Sequence, residues 1–351
     1  MIARLKFLTC ASLGAICAVT IASSVSAGEL NILTWEGYAD PSVIEPFEAA
    51  TGCKVSATYV GSNDDFAPKL AAGGGVFDIV SPSIDSTYAL IEAGFVQAID
   101  ISKISAWGDL YEQFTSAPGI QKDGEFYGVP YAWGAIPFMY RVDKFETPPT
   151  SLAALWDPAF EGRISLWDDK SALYVAARLN GDMNIYDLSD EQIAAAQAKL
   201  IEQRPLIRKY WATAGELVDL YKSDEVWISN TWGGYQSALL AAEGIEVVEF
   251  IPEEGAEGWM DSNMIVAGTP NEECAYQFLN MAISAEGQGG VFRVNGYSST
   301  NPVAAAEFMT PEEFSALHQD DPDYLNSLLL WENLADRLPT YTNAWNAVKS
   351  Q

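Results

Sequence analysis

The chain has 351 residues, 49% of them apolar, and it carries 48 acidic against 19 basic residues, a formal net charge of −29. This length exceeds one ordinary hydrophobic core and predicts about two domains. The negative charge disfavours nucleic acids and anionic membrane surfaces as partners. One histidine and four cysteines argue against a histidine-based catalytic triad and against a His/Cys metal cluster, so we expect no cofactor and no metal.

The N-terminal segment has the composition of a secretory signal. Arg4 and Lys6 precede an apolar stretch over 7–21, and small residues follow up to Ala27. The apolar stretch is short for a membrane span and has the wrong flank, which disfavours an anchor. We expect export and cleavage after Ala27, leaving 17 basic and 48 acidic residues, a net charge of −31.

Cleavage would also remove two of the four cysteines. Cys10 and Cys17 lie in the signal, whereas Cys53 and Cys274 remain in the mature chain. A single remaining pair in an oxidising compartment predicts a disulfide between Cys53 and Cys274. The alternative is two unrelated buried thiols.

The first elements alternate between strand and helix, which predicts an α/β fold with a mostly parallel, doubly wound sheet. Aromatic, proline and glycine residues then crowd a segment that we interpret as a crossing between two lobes. A second α/β stretch follows. In chain order, the predicted elements are a strand over 29–34, a helix from Pro41 to Gly52, a strand over 53–59, a helix over 64–72, a strand over 77–80, the crossing over 126–140, a helix capped by Ser189 and Gln192, a strand over 225–229, a helix opened by Thr269 and Pro270 that carries Cys274, and a helix capped by Thr310 and Glu313 that contains His318.

Several loops pair an aromatic residue with a polar or acidic one near a predicted strand end. In open α/β folds, ligands bind beyond the carboxyl ends of the strands. If these loops converge, they form a box of aromatic walls with carboxylates at its ends, which suits an alkylammonium ligand. The alternative is that the tryptophans are ordinary core residues. The loops are 35–38, 81–85, 167–169, 230–232, 259–261, 295–297 and 331–332.

These motifs, in this order, resemble those of the periplasmic spermidine/putrescine-binding proteins, the solute receptors of bacterial ABC importers. The likeness runs over nearly the whole mature chain. It includes LTWEGY at 33–38, FEAATGCKV at 47–55, FDIVSPS at 77–83, YGVPYAWGA at 127–135, LWDDKSA at 166–172, GWMDS at 258–262 and NGYSSTNP at 295–302.

The resemblance implies a two-lobed periplasmic-binding-protein fold of type II. Each lobe would be a mostly parallel sheet flanked by helices, with the ligand cleft between the lobes. We expect lobe 1 to contain residues 28–133 and 260–305, and lobe 2 to contain residues 134–259 and 306–351, with approximate boundaries.

Carried over residue by residue, the resemblance also implies a set of ligand-binding positions. Two positions depart from the family pattern: Ala172 stands where spermidine binders carry a glutamate, and Glu332 stands where they carry a glutamine. One acid is lost and another gained, which weakens the case for a long triamine. The implied positions are Trp35, Tyr38, Ser83, Asp85, Asp169, Trp232, Trp259, Asp261 and Tyr297, to which we add Glu332.

Arg208 resembles the arginine with which relatives clamp a carboxylate. An arginine fork in the cleft would favour a zwitterion such as 4-aminobutyrate. The alternative is a helix-end arginine that stabilises the helix dipole.

We therefore expect a monomeric, non-enzymatic periplasmic receptor that captures putrescine or spermidine and delivers it to an inner-membrane ABC permease. A receptor for 4-aminobutyrate is the alternative within the same class. An enzyme would be a glycosidase that uses Asp168, Asp169 or Asp261 as acid and base, because two carboxylates suffice for that chemistry. A structural protein would bind no small ligand.

Overall fold

The computed structural model of the chain describes residues 28–73 and 75–351, so the predicted signal and its cleavage site lie outside the described residues. Within the described part, the strands form a seven-stranded larger sheet, a five-stranded smaller sheet and a two-stranded hairpin. In chain order, the strands are β1 (Glu29–Thr34), β2 (Lys54–Tyr59), β3 (Ile79–Val80), β4 (Gln121–Lys122), β5 (Glu125–Phe126), β6 (Gly128–Ile136), β7 (Phe138–Arg141), β8 (Ile164–Trp167), β9 (Ile207–Trp211), β10 (Ile228–Asn230), β11 (Val247–Phe250), β12 (Glu257–Ile265), β13 (Ser298–Ser299) and β14 (Leu329–Leu330).

Helices flank both sheets, and none of those in the described residues is long and apolar enough to cross a bilayer. In chain order, they are α1 (Pro41–Thr51), α2 (Phe66–Gly73), α3 (Ile84–Glu92), α4 (Glu112–Thr115), α5 (Ala172–Leu179), α6 (Asp190–Gln203), α7 (Ala214–Lys222), α8 (Tyr235–Ala242), α9 (Glu272–Ala282), α10 (Ala285–Asn295), α11 (Pro302–Phe308), α12 (Pro311–Ala316), α13 (Pro322–Ser327) and α14 (Leu338–Lys349).

Local signals set several helix ends as predicted. The Asp40 side chain accepts a hydrogen bond from the Ser42 backbone N–H at the start of α1, and Gly52 ends that helix with a φ of +77°. A left-handed residue cannot continue a helix, and glycine adopts that conformation without strain. The predicted capping boxes begin α6 and α12. However, α12 stops before His318, because this residue itself has a φ of +54°.

Both sheets are mixed rather than mostly parallel. In the larger sheet, with the order β13-β6-β12-β3-β1-β2, β1 runs parallel to β2 and β3, whereas β12 runs antiparallel to β3 and β6. In the smaller sheet, with the order β11-β7-β10-β8-β9, β8 is parallel to both neighbours and β7 is antiparallel to both of its own. In both sheets, every antiparallel pair contains β6, β7 or β12, and the chain crosses between the lobes next to these three strands.

The chain passes between the sheets three times. The first crossing is at Pro137, between β6 and β7, inside the crossing segment predicted from the sequence. The second lies between β11 and β12, and the third follows β14, after which α14 packs on α6 and α5 beside the smaller sheet. Strand pairing therefore favours boundaries that differ from those expected, and we infer a lobe 1 of residues 28–136 and 257–330 and a lobe 2 of residues 138–250 and 338–351.

The predicted disulfide is confirmed. Cys53, next to the first residue of β2, is bonded to Cys274 in α9, with 6.0 Å between the Cα atoms. Both residues belong to a buried apolar cluster beneath the larger sheet. The bond therefore ties two segments that are 221 residues apart in sequence but belong to the same lobe.

Candidate ligand-binding site

A cleft lies where the two sheets meet. The larger-sheet side contributes residues from the ends of β1, β6 and β14, from the start of α3 and from β12, and the smaller-sheet side contributes residues that end β8 or follow β10. Strand ends from both lobes thus supply its walls. The lining residues are Trp35, Tyr38, Ser83, Ile136, Trp167, Trp232, Trp259, Asp261, Tyr297 and Trp331.

Ring-to-ring packing holds the aromatic walls. Trp167 stacks on Trp331, with 6.0 Å between the ring centroids and an interplanar angle of 18°. Trp35 meets the faces of Trp167 and Trp232 edge-on, at 6.3 and 5.7 Å. Trp259 packs edge-on against another lining ring, Tyr297, at 4.7 Å. Each of these rings is thus held against at least one other ring of the cleft, in the edge-on or stacked arrangements that aromatic pairs favour.

Some of the indole N–H groups donate hydrogen bonds to the chain, and others do not. Trp167 Nε1 donates to the Gly61 carbonyl at 2.7 Å, and Trp259 Nε1 donates to the Ala135 carbonyl at 3.1 Å. Trp331 Nε1 donates to Glu257 at 3.1 Å. In contrast, the buried Nε1 atoms of Trp35 and Trp232 have no acceptor among the described residues.

Asp261 is the carboxylate of the cleft. Its two oxygens accept hydrogen bonds from Tyr38 Oη and Ser83 Oγ, both at 2.5 Å. Burial raises the pKa of Asp261 to about 7, although both hydroxyls act to lower it, and the charge of Asp85 adds to the increase. Within the described residues, no lysine or arginine contributes to this pKa. The carboxylate is therefore buried, hydrogen-bonded and without a cationic partner.

Two predicted acids lie beside the cleft and not in its wall. Asp85 Oδ2 is 2.9 Å from the ammonium nitrogen of Lys170, and both side chains are buried. Asp169 accepts hydrogen bonds from Ser62 Oγ at 2.7 Å and from the Ser171 backbone N–H at 2.8 Å. Both carboxylates thus have partners within the chain.

Two other predicted positions lie farther out. Arg208 points to solvent from the edge strand β9, with 48% of its side chain exposed, and forms an ion pair with Glu225. Glu332 is exposed immediately after Trp331. The structure thus brings seven of the eleven predicted residues together around the cleft and leaves Asp85, Asp169, Arg208 and Glu332 outside its lining.

Three lining residues were not predicted. Trp167 and Trp331 stand in loops that the sequence singled out, but an acid of each loop, Asp169 or Glu332, was chosen instead. In each loop the tryptophan is the residue that lines the cleft. Ile136, the last residue of β6, carried no sequence signal beyond its place in the crossing segment.

Comparison with known proteins identifies the family. Residues 42–324 match the family described as bacterial extracellular solute-binding protein. The chain is 28% identical over 369 residues to the putrescine-binding periplasmic protein PotF of Escherichia coli strain K12, with 98% of each chain covered. It is 29% identical over 288 residues to the spermidine/putrescine-binding periplasmic protein of Salmonella typhimurium strain LT2, which covers 81% of this chain and 80% of the relative.

Solved structures share the fold. The spermidine/putrescine ABC transporter substrate-binding protein PotD of Streptococcus pneumoniae superposes with a TM-score of 0.73 at 21% identity, over 92% of this chain and 99% of that one. The two-lobed α/β architecture expected from the sequence is thereby confirmed. Since the family match spans most of the chain and the fold agrees with it, the protein belongs to the bacterial extracellular solute-binding proteins.

Proposed function

We propose that the protein is a periplasmic receptor that binds a polyamine, putrescine or spermidine, in the aromatic cleft and delivers it to the permease of an ABC importer. The observation that carries the proposal is Asp261, a buried carboxylate without a cationic partner in the described chain, at the wall of a cleft built from aromatic rings. The names of the relatives support the ligand class, since PotF is named for putrescine.

The geometry explains how an amine would be held. A ligand ammonium at Asp261 would form charge-assisted hydrogen bonds, each contributing about 1.5–3 kcal/mol. Its methylene chain would lie between tryptophan faces, where a second ammonium gains about 0.5–2 kcal/mol per cation–π contact. Together, these contributions are compatible with a micromolar or tighter Kd, about −8 kcal/mol.

The periplasmic location that we propose agrees with two features of the chain. The signal-like residues 1–27 and the Cys53–Cys274 disulfide suit an exported protein, because such bonds persist in oxidising compartments.

The acids of the cleft do not favour a glycosidase. Asp168 lies outside the cleft lining and contacts Lys349 and Trp345. With Asp261 as the one acid among the lining residues, the cleft lacks the carboxylate pair that a glycosidase needs. We therefore propose binding without catalysis.

Calorimetry with putrescine and spermidine tests the proposal. We expect saturable binding by the wild-type protein and more than a tenfold loss of affinity in Asp261→Asn, because the buried ammonium would lose its counter-charge. Asp109→Asn is the matched control: it removes one acidic charge from an exposed site outside the cleft and should leave the Kd unchanged. Absence of heat with both amines would refute the polyamine proposal.

One observation favours a second ligand, 4-aminobutyrate. The buried indole N–H groups of Trp35 and Trp232 find no acceptor in residues 28–73 and 75–351, and a carboxylate could supply one, whereas a protonated polyamine offers only donors. The same calorimetry includes 4-aminobutyrate. Binding of this zwitterion without binding of putrescine would assign the receptor to amino acids of this type.

A further inference from the structure

A buried lysine stands in the group of acids beside the cleft. Lys170 has 1% of its side chain exposed, and its Nζ lies 2.9 Å from Asp85 Oδ2 and 3.6 Å from Asp64 Oδ1. Asp169 is its neighbour in the chain. Burial acts to lower the pKa of Lys170, but the charges of these three carboxylates outweigh it and raise the pKa, so the side chain is an ammonium ion.

The acids that surround this ammonium come from both sides of the cleft. Lys170 and Asp169 follow β8 of the smaller sheet, whereas Asp64 and Asp85 belong to segments of the larger-sheet lobe. A ligand ammonium bound between the lobes would meet carboxylates in the same way. Lys170 therefore places its own ammonium among carboxylates that would also suit an ammonium of a ligand.

The cluster of acids around Lys170 lies next to Asp261, the carboxylate that we propose binds the ligand. Asp85 is two residues from Ser83, which donates to Asp261, and the charge of Asp85 contributes to the raised pKa of Asp261. Trp167, in the cleft wall, is three residues before Lys170. A ligand that extended from Asp261 toward these acids would find Lys170 already between them.

We propose that Lys170 is a specificity-determining residue: by filling the acidic group of Asp64, Asp85 and Asp169, it makes the receptor select a short diamine over a triamine. This inference rests on the proposed polyamine function. An additional ammonium needs its own acceptors when it leaves water, and a buried like charge nearby repels it. Putrescine places fewer charges in the cleft than spermidine, so it is affected less.

Competition calorimetry measures the ratio of the spermidine Kd to the putrescine Kd. In Lys170→Met, which keeps the length of the side chain but removes its charge, the acids lose their partner and the ratio should fall at least tenfold in favour of spermidine. Lys209→Met is the matched control, because Lys209 is half-exposed on β9 and pairs with Glu216, and its removal changes the net charge equally. The control should keep the wild-type ratio.

Asp85→Asn tests the inference in the opposite direction and does not depend on the folding of Lys170→Met. It removes one acid and leaves Lys170 in place, so the ratio should rise at least threefold against spermidine. If the wild-type protein binds an amine but neither variant changes the ratio, the role of Lys170 is refuted and the proposed function stands. If the wild-type protein binds neither amine, the proposed function fails, and this inference fails with it.

Discussion

At the scale of single residues, Asp261 makes ligand binding sensitive to pH. Its pKa is raised to about 7 by burial, and only the ionised carboxylate can pair with an ammonium. We therefore expect the putrescine Kd to increase below pH 7 by about tenfold per pH unit. Calorimetry at pH 5, 6, 7 and 8 measures this, with Asp261→Asn as the variant that loses the pH dependence. A constant wild-type Kd over this range would contradict the expectation.

The same carboxylate should affect the stability of the ligand-free protein. Its folded pKa is above the value near 3.9 of an unfolded aspartate, so between about pH 4 and 7 the folded state binds more protons. The stabilising effect of protonation is therefore present at low pH and is lost as the pH rises through the folded value. From pH 5 to pH 7, Asp261 should decrease the free energy of unfolding by about 2 kcal/mol.

Urea denaturation of the wild-type protein and of Asp261→Asn at both pH values isolates this contribution. Other buried acids, such as Glu257, whose pKa burial also raises to about 6, remain in both proteins and cancel in the comparison. The difference in unfolding free energy between the two proteins should shift with pH in favour of the variant at pH 7. An equal difference at pH 5 and pH 7 would disprove the assignment to Asp261.

Residue chemistry explains which part of the site was predictable. Aromatic residues next to polar ones at strand ends indicated a binding wall, and the lining includes Trp35, Trp232 and Trp259. The roles of the charged residues depend on their partners, which come from distant segments. Lys170 stood within the LWDDKSA motif without a signal of its own, because only the folded chain brings Asp64 and Asp85 to it.

At the scale of elements, the pairing of β6 with β12 positions a wall of the cleft. Gly134 of β6 is in register with Trp259 of β12, and a Cβ at Gly134 would lie 2.9 Å from Trp259 Cζ2. Gly134→Ala should therefore displace this ring and weaken putrescine binding about tenfold, with a modest loss of stability. Gly108→Ala, where a Cβ would meet no atom within 4 Å, serves as the control. Wild-type affinity in Gly134→Ala would show that the ring position does not matter.

The disulfide joins two elements of the same lobe, β2 and α9. Replacing Cys53 and Cys274 by alanine should lower the free energy of unfolding, because the unfolded chain would no longer contain a closed loop of 221 residues. The chain-entropy model gives about 5 kcal/mol for a loop of this size. Denaturant unfolding of the double variant measures the loss, and thiol titration of the denatured wild-type protein should find no free thiol. An unchanged stability would contradict the expectation.

Elements with local signals were predicted well, and pairings between distant strands were not. The caps of α1, α6 and α12 are formed by residues close together in the sequence, so the starts of these helices could be predicted. In β12, a register shift between Asp261 and Ser262 depends on its pairing with β6. No local pattern contains that information, because both strands must already be side by side.

At the scale of the whole molecule, the negative charge should accelerate the capture of cations. A chain with a formal net charge of −29 attracts putrescine over a distance that shortens from about 30 Å to about 8 Å as salt rises from about 0.01 M to 0.15 M. Stopped-flow tryptophan fluorescence should therefore show an association rate constant that falls with salt. The uncharged sugar alcohol mannitol, added at matched osmolality, is the control and should not lower the rate. A salt-independent rate would contradict electrostatic steering.

The two-lobed plan was predictable because the crossing segment over 126–140 is unusual in composition, and Pro137 lies within it. The lobe to which later segments belong stays a prediction. Residues 306–330 were expected in lobe 2, but β14 pairs with β12 in the larger sheet. A two-residue strand has no periodicity to detect, and its partner is about 70 residues away in the chain, so only the tertiary structure assigns it.

The interlaced path of the chain also has a consequence for its folding. In the larger sheet, β12 lies between β3 and β6, so β1, β2 and β3 remain separated from β6 until residues 257–265 have been synthesised. Contacts of such high sequence separation form slowly, because a long loop must close before they contribute. We expect the nascent N-terminal segments to stay without their final partners through most of translation, a state in which a polypeptide can still pass through a narrow translocation channel.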